Sequence, residues 1–107
     1  FEIPVCAKKL IQTNTIDVII ALGVIIKGET SHADLVGNSV TQSLQEIAIN
    51  FNTPIIHEVL LTENRAQAEE RCSGQKNRGT EAAKAAVTMS ELFANLDIAN
   101  KRTSNFS

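Results

Sequence analysis

Two periodicities of apolar residues divide this chain into alternating helices and strands. From Pro4 to Gln12 the apolar residues Ala7, Leu10 and Ile11 recur at helical spacing. Pro4 suits a first helical turn, where its missing N–H loses no bond. Thr13-Asn14-Thr15 interrupts that pattern. Ile16 to Ile26 is β-branched and almost continuously apolar. Such a run, here centred on Val18–Ile26, predicts a strand buried on both faces of a parallel sheet. Lys27-Gly28-Glu29 ends it. Thr30 or Ser31 can cap a long helix to about Phe51, because Val36, Val40, Leu44, Ile47 and Phe51 share one face. Asn52-Thr53-Pro54 reads as a turn and Ile55–Leu61 as a second strand. Thr62-Glu63-Asn64 opens a short helix to about Cys72, followed by a loop over Ser73–Gly79. Glu81–Leu96 predicts an Ala-rich helix with Ala83, Ala86, Val87 and Phe93 turned inward, and Met89 in the core or at a subunit contact. The polar residues after Asp97 are expected to fray. This reading gives one domain over residues 1–97 and a polar tail over 98–107.

Helix, strand, helix, strand, helix implies right-handed βαβ crossovers. The expected fold class is therefore α/β, a three-layer αβα arrangement around a parallel sheet. Two strands alone are marginal. Phe1 is not an initiator Met and runs at once into helical patterning. Both points lead to the expectation that N-terminal strands of the same sheet are missing from this chain.

Composition narrows the function classes. The chain has 107 residues, ten Lys and Arg against twelve Asp and Glu, and a net charge of -2. It has four Phe and no Trp or Tyr. Nucleic-acid binders are usually basic and carry aromatic stacking platforms, so no nucleic-acid partner is expected. The longest apolar run is far shorter than the roughly 20 residues that span a bilayer, and no signal segment opens the chain. A soluble cytoplasmic protein without a membrane partner is the expectation. Cys6 and Cys72 are far apart, form no CxxC, and read as small buried thiols. With two His besides, no metal pattern is present.

Candidate chemistry sits at the carboxyl ends of the strands, where open α/β sheets bind ligands. The first strand end reads Val24-Ile25-Ile26-Lys27-Gly28-Glu29-Thr30-Ser31-His32. Gly28 lets backbone approach a ligand. The start of the next helix offers hydroxyls and free N–H groups to an anion, with His32 beside them for proton transfer. The same residues equally describe a capped helix with a surface His. After the second strand come Arg71, Lys76 and Arg78, a basic cluster suited to a phosphorylated substrate. They also suit a solvated face paired with Glu69 and Glu70. His57, beside Glu58 in the second strand, fits a structural or exposed His better than a catalytic one.

An ordered set of segments resembles lumazine synthase. They are Phe1-Glu2-Ile3-Pro4, Ala21-Leu22-Gly23-Val24-Ile25-Ile26-Lys27-Gly28-Glu29-Thr30-Ser31-His32, Leu60-Leu61-Thr62-Glu63-Asn64, Gln67-Ala68, Glu70-Arg71 and Asn77-Arg78-Gly79-Thr80-Glu81-Ala82-Ala83. The set runs through nearly the whole chain to Leu96. The resemblance implies the flavodoxin-like fold of that family. It implies a transferase of riboflavin biosynthesis that needs no cofactor. Its small-molecule substrates would be a ribitylamino-pyrimidine amine and 3,4-dihydroxy-2-butanone 4-phosphate.

By the same resemblance His32 matches the proton-transfer His. Gly28, Glu29 and Thr30 match the segment that holds the phosphate-bearing substrate, and Arg71 matches the Arg that grips its phosphate. Phe1 and Glu2 match contacts to the pyrimidine and ribityl chain. Val24, Ile25 and Ile26 match the strand end that reads the pyrimidine, and Arg78 and Glu81 match a Lys and an acidic residue near the ligand. His57 stands where the family usually has an aromatic that stacks on the pyrimidine. The loop from Arg71 to Asn77 is one residue shorter than the common family loop, and the family's N-terminal segment, with its pyrimidine-packing aromatic, is not in this sequence. The resemblance implies a homopentamer with sites between neighbouring subunits, which in the family can build an icosahedral 60-mer. The competing classes are a non-catalytic, truncated homologue serving as an assembly subunit or ligand-binding module, and a general phosphate-binding α/β regulator.

Overall fold

Two parallel strands, β1 (Ile19–Ile26) and β2 (Ile55–Thr62), lie at the centre of the fold and pair in register from Ile19 opposite Ile55 to Ile26 opposite Thr62. The computed structural model describes residues 1–28 and 31–106, and the side chains of these except at 76 and 101–106. Around the strands run α1 (Ile3–Thr13), α2 (His32–Phe51), α3 (Arg65–Cys72), a 3₁₀ turn (Gly74–Lys76) and α4 (Arg78–Phe106). The α/β class and the order of elements follow the sequence pattern.

The odd-numbered strand residues face α1 and α2. Ala7, Ala21, Val40, Leu44 and Val59 form the buried cluster there, with Ile3, Ile19, Ile25, Val36 and Ile55 packed on it. Gly23 lies beneath α1: a Cβ there would stand 3.4 Å from Ile3 Cδ1 and 3.4 Å from Val59 Cγ1, at ordinary contact distance. The even-numbered residues face α3 and α4. Ala82 and Ala86 of α4 are buried, while Ala83 and Val87 are exposed. Of the four residues expected to face inward, Ala86 is buried and Phe93 half-buried, whereas Ala83 and Val87 turn outward and Ala82 takes a buried place instead.

Several expectations are corrected. β1 is not buried on both faces: Leu22 is 65% exposed, and Ile20, Val24 and Ile26 are also exposed. The reason is that α3 and α4 lie more over β2 than over β1, so they cover the β1 half of that face only in part. Cys6 and Cys72 are both exposed free thiols, and Cys72 opens onto a cavity it lines with Leu22 and Leu60. The Ser73–Gly79 loop is partly ordered as the 3₁₀ turn, entered through Gly74 at φ 69°, a left-handed conformation open to glycine. Asn77 Oδ1 accepts the Gly79 N–H at 2.7 Å and so starts α4 at Arg78. The backbone of α4 is helical to Phe106, in keeping with the absence of Gly or Pro beyond Gly79.

Local chemistry explains the remaining boundaries. Asn52 takes the left-handed C-cap of α2 at φ 52°, and Pro54 follows as a stop. Asn64 Oδ1 accepts the Gln67 N–H at 2.8 Å, and Gln67 Oε1 accepts the Glu63 N–H at 2.8 Å. This reciprocal pair satisfies two free donors where α3 begins.

Candidate active site

The carboxyl ends of the two strands are fastened to each other. The Lys27 N–H donates to the Thr62 carbonyl at 2.8 Å. The Thr62 hydroxyl donates to the Ile25 carbonyl at 3.0 Å, and Thr62 is 0% exposed. Above this junction, Lys27 Nζ lies 3.5 Å from Asp34 Oδ1 and 3.2 Å from Glu63 Oε1. The Glu63 hydrogen bond first, then the Asp34 charge, raises the Lys27 pKa above the ordinary lysine value.

His32 is the first residue of α2 and is exposed. Ser31 occupies the N-cap, but its side chain makes no capping bond; its backbone carbonyl accepts the Leu35 N–H at 3.2 Å instead. The expected hydroxyl cap by Ser31 is thus absent. Gly28 is exposed, and a Cβ there would meet nothing within 4 Å. Glu29 and Thr30 lie outside the described residues. Val24 and Ile26 are exposed on the α3/α4 side of β1, whereas Ile25 packs on the core. Phe1 and Glu2 precede α1 and are exposed.

Arg71, near the end of α3, is half-buried and its Nη1 donates to the Leu61 carbonyl at 3.4 Å. It lines an open polar cavity of about 520 Å³ with Gln67, Glu70, Gln75, Arg78 and Glu81. Arg78 Nη1 pairs with Glu81 Oε2 at 3.3 Å. Arg71 and Arg78 also form the rim of a second cavity of about 230 Å³, whose floor is Leu22, Val24, Glu58 and Leu60. The structure therefore gathers Arg71, Arg78, Glu81 and Val24 around two adjoining cavities. An anion fits beside the two guanidiniums, and an apolar or planar group fits on the floor.

His57 does not join them. It is exposed on the opposite side of the sheet, and its Nε2 lies 2.9 Å from the Thr41 hydroxyl of α2. The two residues line a separate cavity of about 230 Å³ with Leu44, Gln45 and Ile55. The sequence did not point to Thr41, since one hydroxyl on a helix carries no periodic signal. Lys27 and Thr62 were also missed as site-building residues. Their signal was available in retrospect, as a cation and a hydroxyl that each end a strand. A further groove of about 520 Å³ at the amino end of β2 is lined by Ile49, Ile56, Met89 and Phe93 and contains no titratable residue. Among the described residues, no group of three or more His, Cys, Asp or Glu side chains could hold a metal ion. No helix among them is long and apolar enough to cross a membrane.

Comparison with known proteins places the chain in a family. The profile of the family described as 6,7-dimethyl-8-ribityllumazine synthase matches residues 1–94. A protein of that name from Prochlorococcus marinus is 40% identical over 97 residues, covering 91% of this chain and 61% of its own length. One from Thermococcus kodakarensis is 38% identical over 96 residues, covering 90% of this chain and 62% of its own. One from Burkholderia mallei is 44% identical over 96 residues, covering 90% and 54%. The chain thus spans between 54% and 62% of the length of these curated relatives.

Proposed function

The chain belongs to the 6,7-dimethyl-8-ribityllumazine synthase family, and on that premise we propose that it acts in the condensation of 5-amino-6-(D-ribitylamino)uracil with 3,4-dihydroxy-2-butanone 4-phosphate. The amine attacks the ketone and water leaves to give an imine. Inorganic phosphate is then eliminated, the ring closes on the second nitrogen, and another water departs. No oxidant or reductant enters this balance.

The observation that carries the proposal is the pair Arg71 and Arg78 beside a polar cavity, with Arg71 anchored on the Leu61 carbonyl at the end of β2. A guanidinium offers two parallel donors to a phosphate and keeps its charge at all working pH values. His32, exposed at the start of α2, would carry a proton to the departing phosphate. The free N–H groups of that helix start favour the anion. Gly28, Glu29 and Thr30 would complete the phosphate side. Val24, Ile25, Ile26, Phe1, Glu2 and His57 would hold the pyrimidine and ribityl chain, with Arg78 and Glu81 near the ligand. Most of the rate enhancement would come from holding two polar substrates in reacting geometry.

The residue groups do not meet in one cavity of one copy, which supports a site shared between subunits of a homopentamer; further packing into a 60-subunit shell is the larger form of the same proposal. A cytoplasmic location accords with this chemistry. The test is to mix both substrates with the protein and follow lumazine absorbance. Formation above the uncatalysed background is expected. A rate equal to background, with substrates still bound, would leave the non-catalytic binding module as the better description.

A further inference from the structure

The junction of the strand ends points to a role for Lys27 that its position as a strand terminator did not suggest. Its ammonium touches two carboxylates from different elements: Asp34 in the first turn of α2, at 3.5 Å, and Glu63 in the turn before α3, at 3.2 Å. As stabilising contacts these are weak, because Asp34 and Glu63 are 51% and 64% exposed in their side chains and surface pairs are screened by water. Their consequence is geometric. The Lys27 backbone is fixed by its bond to the Thr62 carbonyl, so the ammonium reaches out from a rigid base.

Each carboxylate leads to a functional group by a short, ordered path. Asp34 is two residues from His32 in the same helical turn. The Glu63 backbone N–H donates to Gln67 Oε1, and Asn64 caps α3, whose last turn carries Arg71. We propose that Lys27 is a positioning residue: by pairing with both carboxylates at once it holds the start of α2, which gives His32 to one shared site, in a fixed relation to α3, whose last turn gives Arg71 to the neighbouring one. This rests on the functional reading above, and it names a residue that holds in place the proton-transfer and phosphate groups a chain contributes to its two shared sites. Lys27 also offsets two negative charges that would otherwise oppose an incoming phosphate.

The experiment compares the wild-type chain with Lys27→Met and Lys27→Arg. For Lys27→Met the KM for the butanone phosphate should rise about tenfold, since small displacements between reacting groups are expensive. The KM for the pyrimidine should stay within about twofold, because its proposed contacts do not run through the two carboxylates. Lys27→Arg should restore most of the loss. In parallel, inorganic phosphate is titrated while the His32 imidazole signals are followed by NMR. Its affinity should fall in Lys27→Met by the same factor as KM rises. Unchanged phosphate affinity, or equal losses for both substrates together with a lowered melting temperature, would overturn the role of Lys27. A wild-type chain that binds phosphate but forms no lumazine would overturn the functional reading while the phosphate titration still decides on Lys27. Failure of the wild type to bind phosphate would overturn both.

Discussion

Replacing Thr62 with Val removes one hydroxyl from the place where the two strand ends are fastened. The Thr62 side chain is fully buried and donates to the Ile25 carbonyl at 3.0 Å. Val has nearly the same volume, so no large cavity opens. What is lost is the hydrogen bond of a hydroxyl closed off from solvent. A typical bond contributes ~0.5–1.5 kcal/mol net, and a buried group left unsatisfied costs ~1–3 kcal/mol. The parallel register also brings the Thr62 N–H to the Ile25 carbonyl, so that carbonyl keeps a partner and the first range applies, at about 1 kcal/mol. Urea unfolding followed by far-UV circular dichroism reads it. With a slope of ~1–3 kcal/mol per molar, the midpoint should fall by about 0.5 M. Protein concentration must be held fixed, since association raises apparent stability. Thr62→Ser supplies the control. It keeps the donor and loses one methyl, for about 1 kcal/mol. A Thr62→Val protein as stable as wild type would refute the assignment of the strand-end fastening to this hydroxyl.

Other outcomes follow from single groups. His32→Ala should lower lumazine turnover by ~10²-fold or less, because positioning by the rest of the site survives and acid–base help is usually ~10²–10⁴; unchanged turnover in steady-state kinetics removes His32 from the chemistry. Arg71→Lys should weaken binding of the butanone phosphate, measured calorimetrically, and leave the pyrimidine nearly unaffected, because an ammonium lacks the paired donors of a guanidinium. The Lys27 pKa is raised by Glu63 and Asp34, so its stabilising contribution is complete below the unfolded-state lysine value and is lost as pH climbs through the higher folded-state value. The stability gap between wild type and Lys27→Met should therefore hold from neutral pH to about 10.4 and shrink only above it, as urea titrations at stepped pH would record.

How much of this was legible before any coordinates is best judged residue by residue. The face Val36, Val40, Leu44, Ile47 and Phe51 is the packed face of α2, because a 3.6-residue period over five turns leaves little freedom. Asn64 as the cap of α3 was equally readable, since its chemistry is local. The burial of β1 was not. A continuous apolar run says that a strand avoids water on both faces, but not which element covers each face, and Leu22 and Val24 lie uncovered among the described residues. The inward side of α4 was legible only in part: Ala86 and Phe93 lie on it but Ala83 and Val87 do not, because small apolar residues on several sides of an Ala-rich helix leave the packed side undetermined. Within the candidate site, Arg71 and Arg78 were found through charge in an acidic chain. Lys27 was not, because its meaning lies in two partners distant in sequence.

The separation of the candidate groups sets a condition on any active form. His57 stands with Thr41 on the α2 side of the sheet, whereas Arg71, Arg78 and Glu81 surround cavities on the α3/α4 side. None of the cavities described above is lined by both His32 and Arg71. The outer edges of the two-stranded sheet have no strand partner among the described residues, and the uncovered side chains of β1 add an apolar surface beside them. Unpaired edges and apolar patches favour association. On the proposed reading a neighbouring copy supplies the complementary half of each site. Co-expression of His32→Ala and Arg71→Ala chains tests this directly. Each variant alone should turn over more slowly than wild type, His32→Ala by ~10²-fold or less. If a site takes His32 from one copy and Arg71 from the next, random mixing leaves about a quarter of the sites intact in a closed ring. Co-expressed chains should then recover about a quarter of wild-type turnover, and analytical ultracentrifugation should find them in one assembly. Mixed assemblies of the same size with no recovered turnover would mean that a single chain provides both groups, and the shared-site arrangement would be wrong.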